Sequence, residues 1–498
     1  MAREDFTDAD GQGGRAQGAA GALRWPTPGQ VGAVHRHGAA GAVVGPTPAQ
    51  AAVWICALGA VVAAASLWPT ATAAAVYPTL GVGFGAVTVL RFAAALIARP
   101  PPDAPALPNA ALPPYTVIVP LYREAGMVES LVCALSRLDY PTDRLQVLFA
   151  LEADDEATLR AAAEADLPDH MRVVVVPPGS PRTKPRACNV ALAHATGSLV
   201  TLYDAEDEPA PGQLREAAAR FAAGPDALAC LQAPLRIKDA RGFLARQFAL
   251  EYAAQFEVVL PAMARLGVPF PLGGTSNHFR ASALRDVGGW DPYNVTEDAD
   301  MGFRLAERGY ALSVLSAPTF EPAPDRFLDW LPQRARWVKG YMQTFGVHTR
   351  GPLAGGPALH TALIVTLGVG IASAFLHGPL AVWIAAKTLL WAAGGGEPTK
   401  AAYDLLLLTA GWLTAGVMMA EGARRADVRL TFMDLVLALA YWPVQSLAAL
   451  HALIQLFTAP HHWDKTEHVP PAACPPCIRP RMRGGWRAAL RSWPTRLR

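Results

Sequence analysis

The sequence predicts an α/β domain built on a mainly parallel sheet and set between transmembrane helices. Three observations carry that expectation. Only 17% of the 498 residues are charged, against about 25% in ordinary soluble proteins. Between 115 and 350 the charges return, and short β-branched or aromatic runs alternate with helical patterns, the order that gives parallel strands covered on both faces. On either side of that region lie apolar runs long enough to cross roughly 30 Å of hydrocarbon as helices.

Residues 1–49 are rich in Ala, Gly and Pro, carry charges from the third residue on and hold no apolar run. They read as a disordered cytosolic extension rather than a signal peptide. Within 50–99, "AAVWICALGAVVAAASLW" (51–68) has no charge and 74–98 has only Arg91, so two transmembrane helices are expected. Residues 100–114 make a stiff Pro-rich linker.

The domain spans 115–325. Its strands are "YTVIVPLY" (115–122), "LQVLFALE" (145–152), "MRVVVVP" (171–177) and "GSLVTLYD" (197–204). Helical stretches separate them: "MVESLVCALSRL", "EATLRAAAEA" and "KPRACNVALAHA". Polar residues gather where the strands end, at Arg123-Glu124, Glu152 to Glu156 and Asp204 to Glu208. Ligands of open α/β sheets bind at such carboxyl ends.

Residues 326–350 contain "FLDWLPQRARWVKGYMQTF", whose apolar and basic residues suit an amphipathic helix on the membrane surface. From 359 to 457, three to four transmembrane or interfacial segments follow. The first, 359–391, is either one long helix or a hairpin broken at His377-Gly378-Pro379. Arg424, Arg425 and Arg429 draw one loop to the cytosol, while Lys465 and seven arginines from 479 to 498 draw the basic tail, 458–498, there as well. Both are satisfied if the last segment, interrupted by Pro443, lies partly along the interface.

A net charge of +2 and the lack of a basic face with interleaved aromatics argue against nucleic acid as a partner. Six cysteines are scattered apart from "CPPC" at 474–477. No disulfide framework follows, and the CPPC reads as incidental thiols.

Two acidic stretches stand out. In "NVTEDADMGFRLAERGY" (294–310), Glu297, Asp298 and Asp300 fall in the first turn of a short helix, where the dipole favours negative charge. Capping alone is the plain reading. In "YDAEDEP" (203–209), Asp204, Glu206 and Asp207 crowd a strand end. Mg2+ or Mn2+, holding phosphate oxygens as well, would neutralise them, and a solvated acidic loop is the plain alternative.

"DAED", "TED" and "QRARW" (333–337), in that order and flanked by "GGTSNHFR" and "GGWDPYNVTEDADMG", resemble the signature set of the family 2 membrane glycosyltransferases, the group of cellulose, hyaluronan and chitin synthases. "WDKTEH" (463–468) resembles a tail motif of the bacterial cellulose-synthase-like branch. The resemblance covers roughly 115–350 and implies a fold of GT-A type with a mixed, mostly parallel sheet. It also implies a nucleotide-diphosphate sugar donor, UDP-linked, a divalent metal, and a multi-pass protein of the bacterial inner membrane with its catalytic domain in the cytosol. By position, Glu152 takes the place of the uridine-holding acid, with Asp154 and Asp155 behind it. Lys184 and Asn189 take places near the nucleotide. Asp204 with Glu206 or Asp207 stands for the metal-binding pair. Asp298 takes the place of the general base, with Glu297 beside it, and Arg336 and Trp337 the places that meet diphosphate and acceptor sugar.

The chemistry asks for the same groups: cations to stabilise the leaving diphosphate and one carboxylate to take the acceptor's proton. A single base without a separate nucleophile inverts the anomeric centre. QRARW within a transmembrane frame implies extension of a polysaccharide, fed through the membrane. Transfer of one sugar to a lipid carrier and a catalytically silent scaffold or receptor for envelope export partners stay open. His278 is either near the acceptor or structural, and "QFALEYAAQF" (247–256) is read as scaffold.

Overall fold

The computed structural model describes residues 41–43, 45–351, 356–395 and 398–462. Residues 1–40, the "WDKTEH" and the CPPC lie outside the described residues.

Two helices come first, α1 (Pro48–Leu67) and α2 (Pro69–Ile97). Thr47 caps α1 reciprocally with Gln50: the Thr47 hydroxyl accepts from the Gln50 amide at 3.2 Å, and the Gln50 side chain accepts from the Thr47 amide at 3.0 Å. Such a cap contributes about 0.5–2 kcal/mol. The end of the segment expected to be disordered is therefore packed. Ala42 donates to Asp291 at 2.6 Å, and Arg350 donates to the Gly41 carbonyl at 2.9 Å.

The domain then runs β1 (Tyr115–Leu121), α3 (Val128–Ser136), β2 (Leu145–Glu152), α4 (Glu156–Glu164), β3 (Met171–Val176), α5 (Lys184–Leu192), β4 (Leu199–Leu202), β5 (Glu208–Pro209) and α6 (Gln213–Ala223). It continues with β6 (Leu228–Gln232), β7 (Leu235–Lys238), α7 (Gly242–Ala254), α8 (Leu260–Arg265), β8 (Asn277–Arg280), α9 (Ala281–Asp286), α10 (Glu297–Glu307), β9 (Ala311–Val314) and β10 (Thr319–Pro322). The main sheet is mixed and mostly parallel, in the order β3-β2-β1-β4-β8-β6-β9. β8 alone runs antiparallel to both its neighbours. A small second sheet, β5-β10-β7, lies beside it.

Alternation along β1 explains the layering. Val117, Val119 and Leu121 enter one core with Phe149, Leu131 and Phe221. Ile118 enters the other with Leu148, Val174 and Val190. With both faces covered, the strands can be continuously apolar.

After the domain come α11 (Phe327–His348), α12 (Gly356–Ala392), α13 (Pro398–Ala426) and α14 (Phe432–Thr458). α12 is one continuous helix with Pro379 inside it, so the chain makes no hairpin at His377-Gly378-Pro379. Five helices, α1, α2, α12, α13 and α14, are long and apolar enough to cross a membrane.

α14 differs from the others in what its ends touch. Near its start Asp434 pairs with Arg246 at 2.6 Å, and its carbonyl accepts from Gln247 at 2.8 Å, both on α7. Near its end Gln455 accepts from Lys339 of α11 at 2.9 Å. Just beyond, the Pro460 carbonyl accepts from Gln343 at 2.8 Å and His461 bonds the Tyr293 carbonyl at 2.9 Å. Its first end is thus fastened to α7 of the α/β domain, and its second to α11 and, through His461, to Tyr293 of the domain. α13 approaches α7 through Gly422, where a Cβ would come within 2.6 Å of the Ala253 backbone.

Candidate active site

The carboxyl ends of β1, β2 and β4 open onto a cavity of about 780 Å3. Tyr122 and Glu124, Glu152, and Asp204 with Glu206 line it from these strand ends. Lys184 opens α5, Glu297 and Asp298 open α10, and Gln333, Arg336 and Trp337 project from α11 into the same space. Stretches distant in sequence thus share one chamber.

Lys184 lies at its centre. Its Nζ reaches Asp204 at 2.5 Å and donates to the Gly274 carbonyl at 2.8 Å. Burial alone would drive the amine towards neutrality, but Asp204 and Glu297 outweigh it and hold the ammonium charged. Opposite stand the two acids of α10. Burial, then the neighbouring Asp298, pushes Glu297 up to about 7. Burial also raises Asp298, against the pull of its own helix amides, Lys184 and Arg336. A carboxylate so placed binds a proton more readily than an exposed one.

Close helix contact sets this geometry. The loop before α10 is held by α11: Asn294 donates to Thr344 at 2.9 Å, and the Val295 amide donates to Gln343 at 3.2 Å. Gly340 of α11 lies so near Thr296 that a Cβ there would fall within 2.7 Å of every Thr296 side-chain carbon and its hydroxyl. Behind α10, Asp300 pairs with Arg304 and with His348 at 3.0 Å, and His348 also bonds Glu307 at 2.6 Å. Trp337 is fixed too, stacked on Tyr252 with ring centres 6.0 Å apart and with the Arg334 guanidinium 4.5 Å from its ring centre.

Several expected residues are used elsewhere. Glu152 is buried at the end of β2 and ion-paired with Arg186 at 3.5 Å, and burial pushes it up to about 7 against that arginine. Asp154 pairs with Arg182 at 2.8 Å and is half-exposed. Asp155 caps α4, accepting from the Thr158 amide at 3.2 Å. Neither Asp154 nor Asp155 is among the cavity-lining residues. Asn189 is consumed by Trp290, donating to its carbonyl at 2.6 Å and accepting from its amide at 2.9 Å. Asp207 is buried below the strand end, accepting from the Asp204 amide at 2.7 Å and from Thr275. Burial, with Asp204 and Glu206 adding to it, pushes Asp207 well up. It is not among the cavity-lining residues, although its Oδ1 has no hydrogen-bond partner among the described residues.

His278 is structural. It is fully buried on β8, bonded to the Tyr115 hydroxyl at 2.6 Å and to Gln213 at 3.1 Å, and burial lowers it to about 3. The stretch read as scaffold does more than expected, since Glu251, Tyr252, Gln255 and Phe256 form a cavity wall. Arg182 and Glu321 also line the cavity, and no motif had pointed to them. Among the described residues no three His, Cys, Asp or Glu side chains cluster as a metal-binding group.

Sequence comparison places this geometry in a family. Residues 199–456 match the profile described as glycosyl transferase family group 2, and residues 116–281 that of glycosyl transferase family 2. Among curated relatives, a probable glycosyltransferase, YdaM, of Bacillus subtilis is 25% identical over 232 residues, 46% of this chain and 55% of its own length. The beta-monoglucosyldiacylglycerol synthase of Synechocystis sp. is 28% identical over 50% of this chain and 53% of its own. The cellulose synthase 1 catalytic subunit (UDP-forming) of Komagataeibacter xylinus is 25% identical over 50% of this chain and 33% of its own. The chain thus spans about half, or less, of the length of these relatives. A mannosyltransferase from Pyrobaculum calidifontis, solved with GDP-Man and Mn2+, superposes with a TM-score of 0.48 at 21% identity, covering 76% of this chain and 99% of that one. With its mixed, mostly parallel α/β domain of GT-A type flanked by apolar helices, and with a family profile that spans just over half of its residues, the chain belongs to glycosyl transferase family group 2.

Proposed function

We propose that this glycosyltransferase moves a sugar, with inversion, from a nucleotide-diphosphate donor to a growing polysaccharide at the bacterial inner membrane, its catalytic domain facing the cytosol. One observation carries the reading. Lys184, Asp204, Asp298, Arg336 and Trp337 line a single cavity, and that cavity continues between α2, α12, α13 and α14. Donor chemistry and a membrane-side entrance for the acceptor therefore share one space.

Asp298 serves as the base. An acceptor hydroxyl attacks the anomeric carbon from the side opposite the diphosphate, and its proton passes to the Asp298 carboxylate. The bond from anomeric carbon to phosphate oxygen breaks, and its electron pair leaves with the diphosphate. Lys184 and Arg336 supply positive charge where that negative charge grows. Trp337 offers its indole face to the acceptor sugar, and Glu152 with Arg186 stands where the base of the donor would lie.

The carboxylates fit a hard cation. Asp204, Glu206 and Glu321 line the cavity around the buried Asp207, and this concentration of acid pushes Glu321 well up as well, after burial. Mg2+ is commonly held by one or two carboxylates together with substrate phosphates. Asp204 and Glu206 would hold Mg2+ or Mn2+ here, and the ion would neutralise diphosphate charge. A UDP-linked donor remains part of the proposal, carried by the position of Glu152 at the end of β2.

The two fastened ends of α14 support a topology in which α1, α2, α12 and α13 cross the membrane and α14 lies along its cytosolic face. The loop with Arg424, Arg425 and Arg429 and the basic tail then fall on one side, as charge bias demands. A second reading, transfer of a single sugar to a lipid carrier, is favoured by the apolar walls that α2 and α13 give the cavity, among them Leu90 and Met418.

The test is transfer from a panel of labelled sugar nucleotides, with and without Mg2+ or Mn2+, by wild type and Asp298→Asn. The expected loss is about 10²–10⁴-fold, with nucleotide affinity retained. Equal turnover in both proteins would remove Asp298 as base and favour a silent scaffold. Product length separates polymer extension from single addition.

A further inference from the structure

Beyond Trp337 the cavity wall is mostly apolar, and three polar side chains break it. Arg91 comes from α2, His377 from α12 and Gln445 from α14. Arg91 is the one charged residue between Pro69 and Ile97. It sits six residues before the end of α2, about 9 Å along the axis, close enough to the interface for its chain to reach water outside the protein. Its side chain is exposed and lines the cavity, and no hydrogen bond or ion pair with a described residue holds it. The acid whose charge it feels, Glu251, is already held by Arg334 at 2.6 Å and by the Tyr441 hydroxyl at 2.8 Å.

Gln445 is an independent sign of a ligand: it is 7% exposed, and its side-chain nitrogen has no partner among the described residues. His377 is half-buried beside Trp442, ring centres 5.8 Å apart, with the Ser373 backbone as a hydrogen-bond partner one turn earlier. Buried polar atoms are almost always paired, so the unpaired Gln445 amide beside a cavity calls for an occupant. Charged residues within membrane helices mark functional pathways by default.

A guanidinium, a side-chain amide and an imidazole form a donor-rich, positively charged set. At the other end of the cavity stand Asp204, Glu206, Glu297 and Asp298. The donor end thus mixes both charges, with Lys184 and Arg336 among its acids, while Arg91, His377 and Gln445 bring the membrane end a cation and no acid. A neutral glycan has no use for the second feature. We infer that Arg91, His377 and Gln445 form a subsite for an anionic oxygen group, phosphate or carboxylate, on an acceptor that enters from the membrane. The inference rests on the transferase reading above and adds the acceptor's chemistry to it. Two sources share that chemistry, the phosphate of a lipid and the carboxylate of an acidic glycan.

Calorimetric titration of the full chain in neutral detergent tests this. The probes are short-chain phosphatidic acid, diacylglycerol of the same chain length, and a glucuronate-containing oligosaccharide. Phosphatidic acid or the oligosaccharide binds saturably and diacylglycerol does not; which anion binds identifies the source. Arg91→Gln weakens that binding at least tenfold while leaving nucleotide affinity unchanged, and Gln445→Ala does the same should Arg91→Gln fail to fold. Binding of diacylglycerol as tight as that of either anion, no binding of either anion, or wild-type affinity in a folded variant overturns the subsite. A chain that binds the anion but transfers no sugar would keep the subsite and remove the transferase mechanism, so the two failures are distinguishable.

Discussion

Replacing Gly340 by Ala tests whether the approach of α11 to α10 positions the chemistry. A Cβ at 340 would sit 2.7 Å from Thr296 Cβ and closer still to the Thr296 hydroxyl and methyl. Rotating Thr296 about χ1 can move the latter two, but Cβ is fixed by the backbone. Carbon atoms rest about 3.5–4.0 Å apart, so the two helices must separate by roughly 1 Å. Overpacking of this kind costs about 1–3 kcal/mol, partly offset by the 0.5–1 kcal/mol that Ala gains over Gly within a helix. The protein should therefore fold with a modest loss of stability. Its catalysis should suffer more, because Arg336 and Trp337 ride on α11 while Asp298 lies two residues after Thr296, and a 1 Å misplacement can cost about 10²-fold. Gly346, on the same helix, has no heavy atom within 4 Å of its notional Cβ. Gly346→Ala should leave transfer unchanged and gain about 0.5–1 kcal/mol. The assay is sugar transfer alongside thermal unfolding of both variants. Transfer by folded Gly340→Ala within twofold of Gly346→Ala would refute the reasoning.

Two further outcomes are expected. Burial works against a charged His348, but its hydrogen bonds to Asp300 and Glu307 prevail and raise it to about 9. A histidine raised above its unfolded value near 6.5 contributes stability that is fully present below that pH and fades as the pH climbs through 9. The unfolding free energy of wild type should fall over that window by about 3 kcal/mol, and that of His348→Gln should be nearly flat there; parallel curves would discount the network. For topology, single cysteines replacing Arg429 and Thr458, in a chain lacking the exposed Cys56 and the tail Cys474 and Cys477, should both react with a membrane-impermeant thiol reagent from the cytosolic side, and one replacing Ala393 only from the opposite side. Labelling of positions 429 and 458 from opposite faces would mean that α14 crosses.

The sequence by itself determined what depends on neighbours along the chain. Apolar runs such as "YTVIVPLY" and "LQVLFALE" became the parallel strands β1 and β2 because residue type and period decide local conformation. Glu297, Asp298 and Asp300 fell in the first turn of α10 because turn formers precede them and a helix dipole accepts them. Only the tertiary structure decided which acid or amide faces the cavity. Asp155, Asn189 and Asp207 match motif positions, yet Asp155 is engaged in a cap, Asn189 by the Trp290 backbone and one oxygen of Asp207 by Thr275, and none of the three lines the cavity. Arg91 showed only as the one charge of an apolar run, and nothing local joined it to His377 and Gln445, single polar residues on two other helices. A hydrogen bond or an electrostatic contact depends on distance in space, and a partner a hundred residues away leaves no trace in the period or composition around either residue.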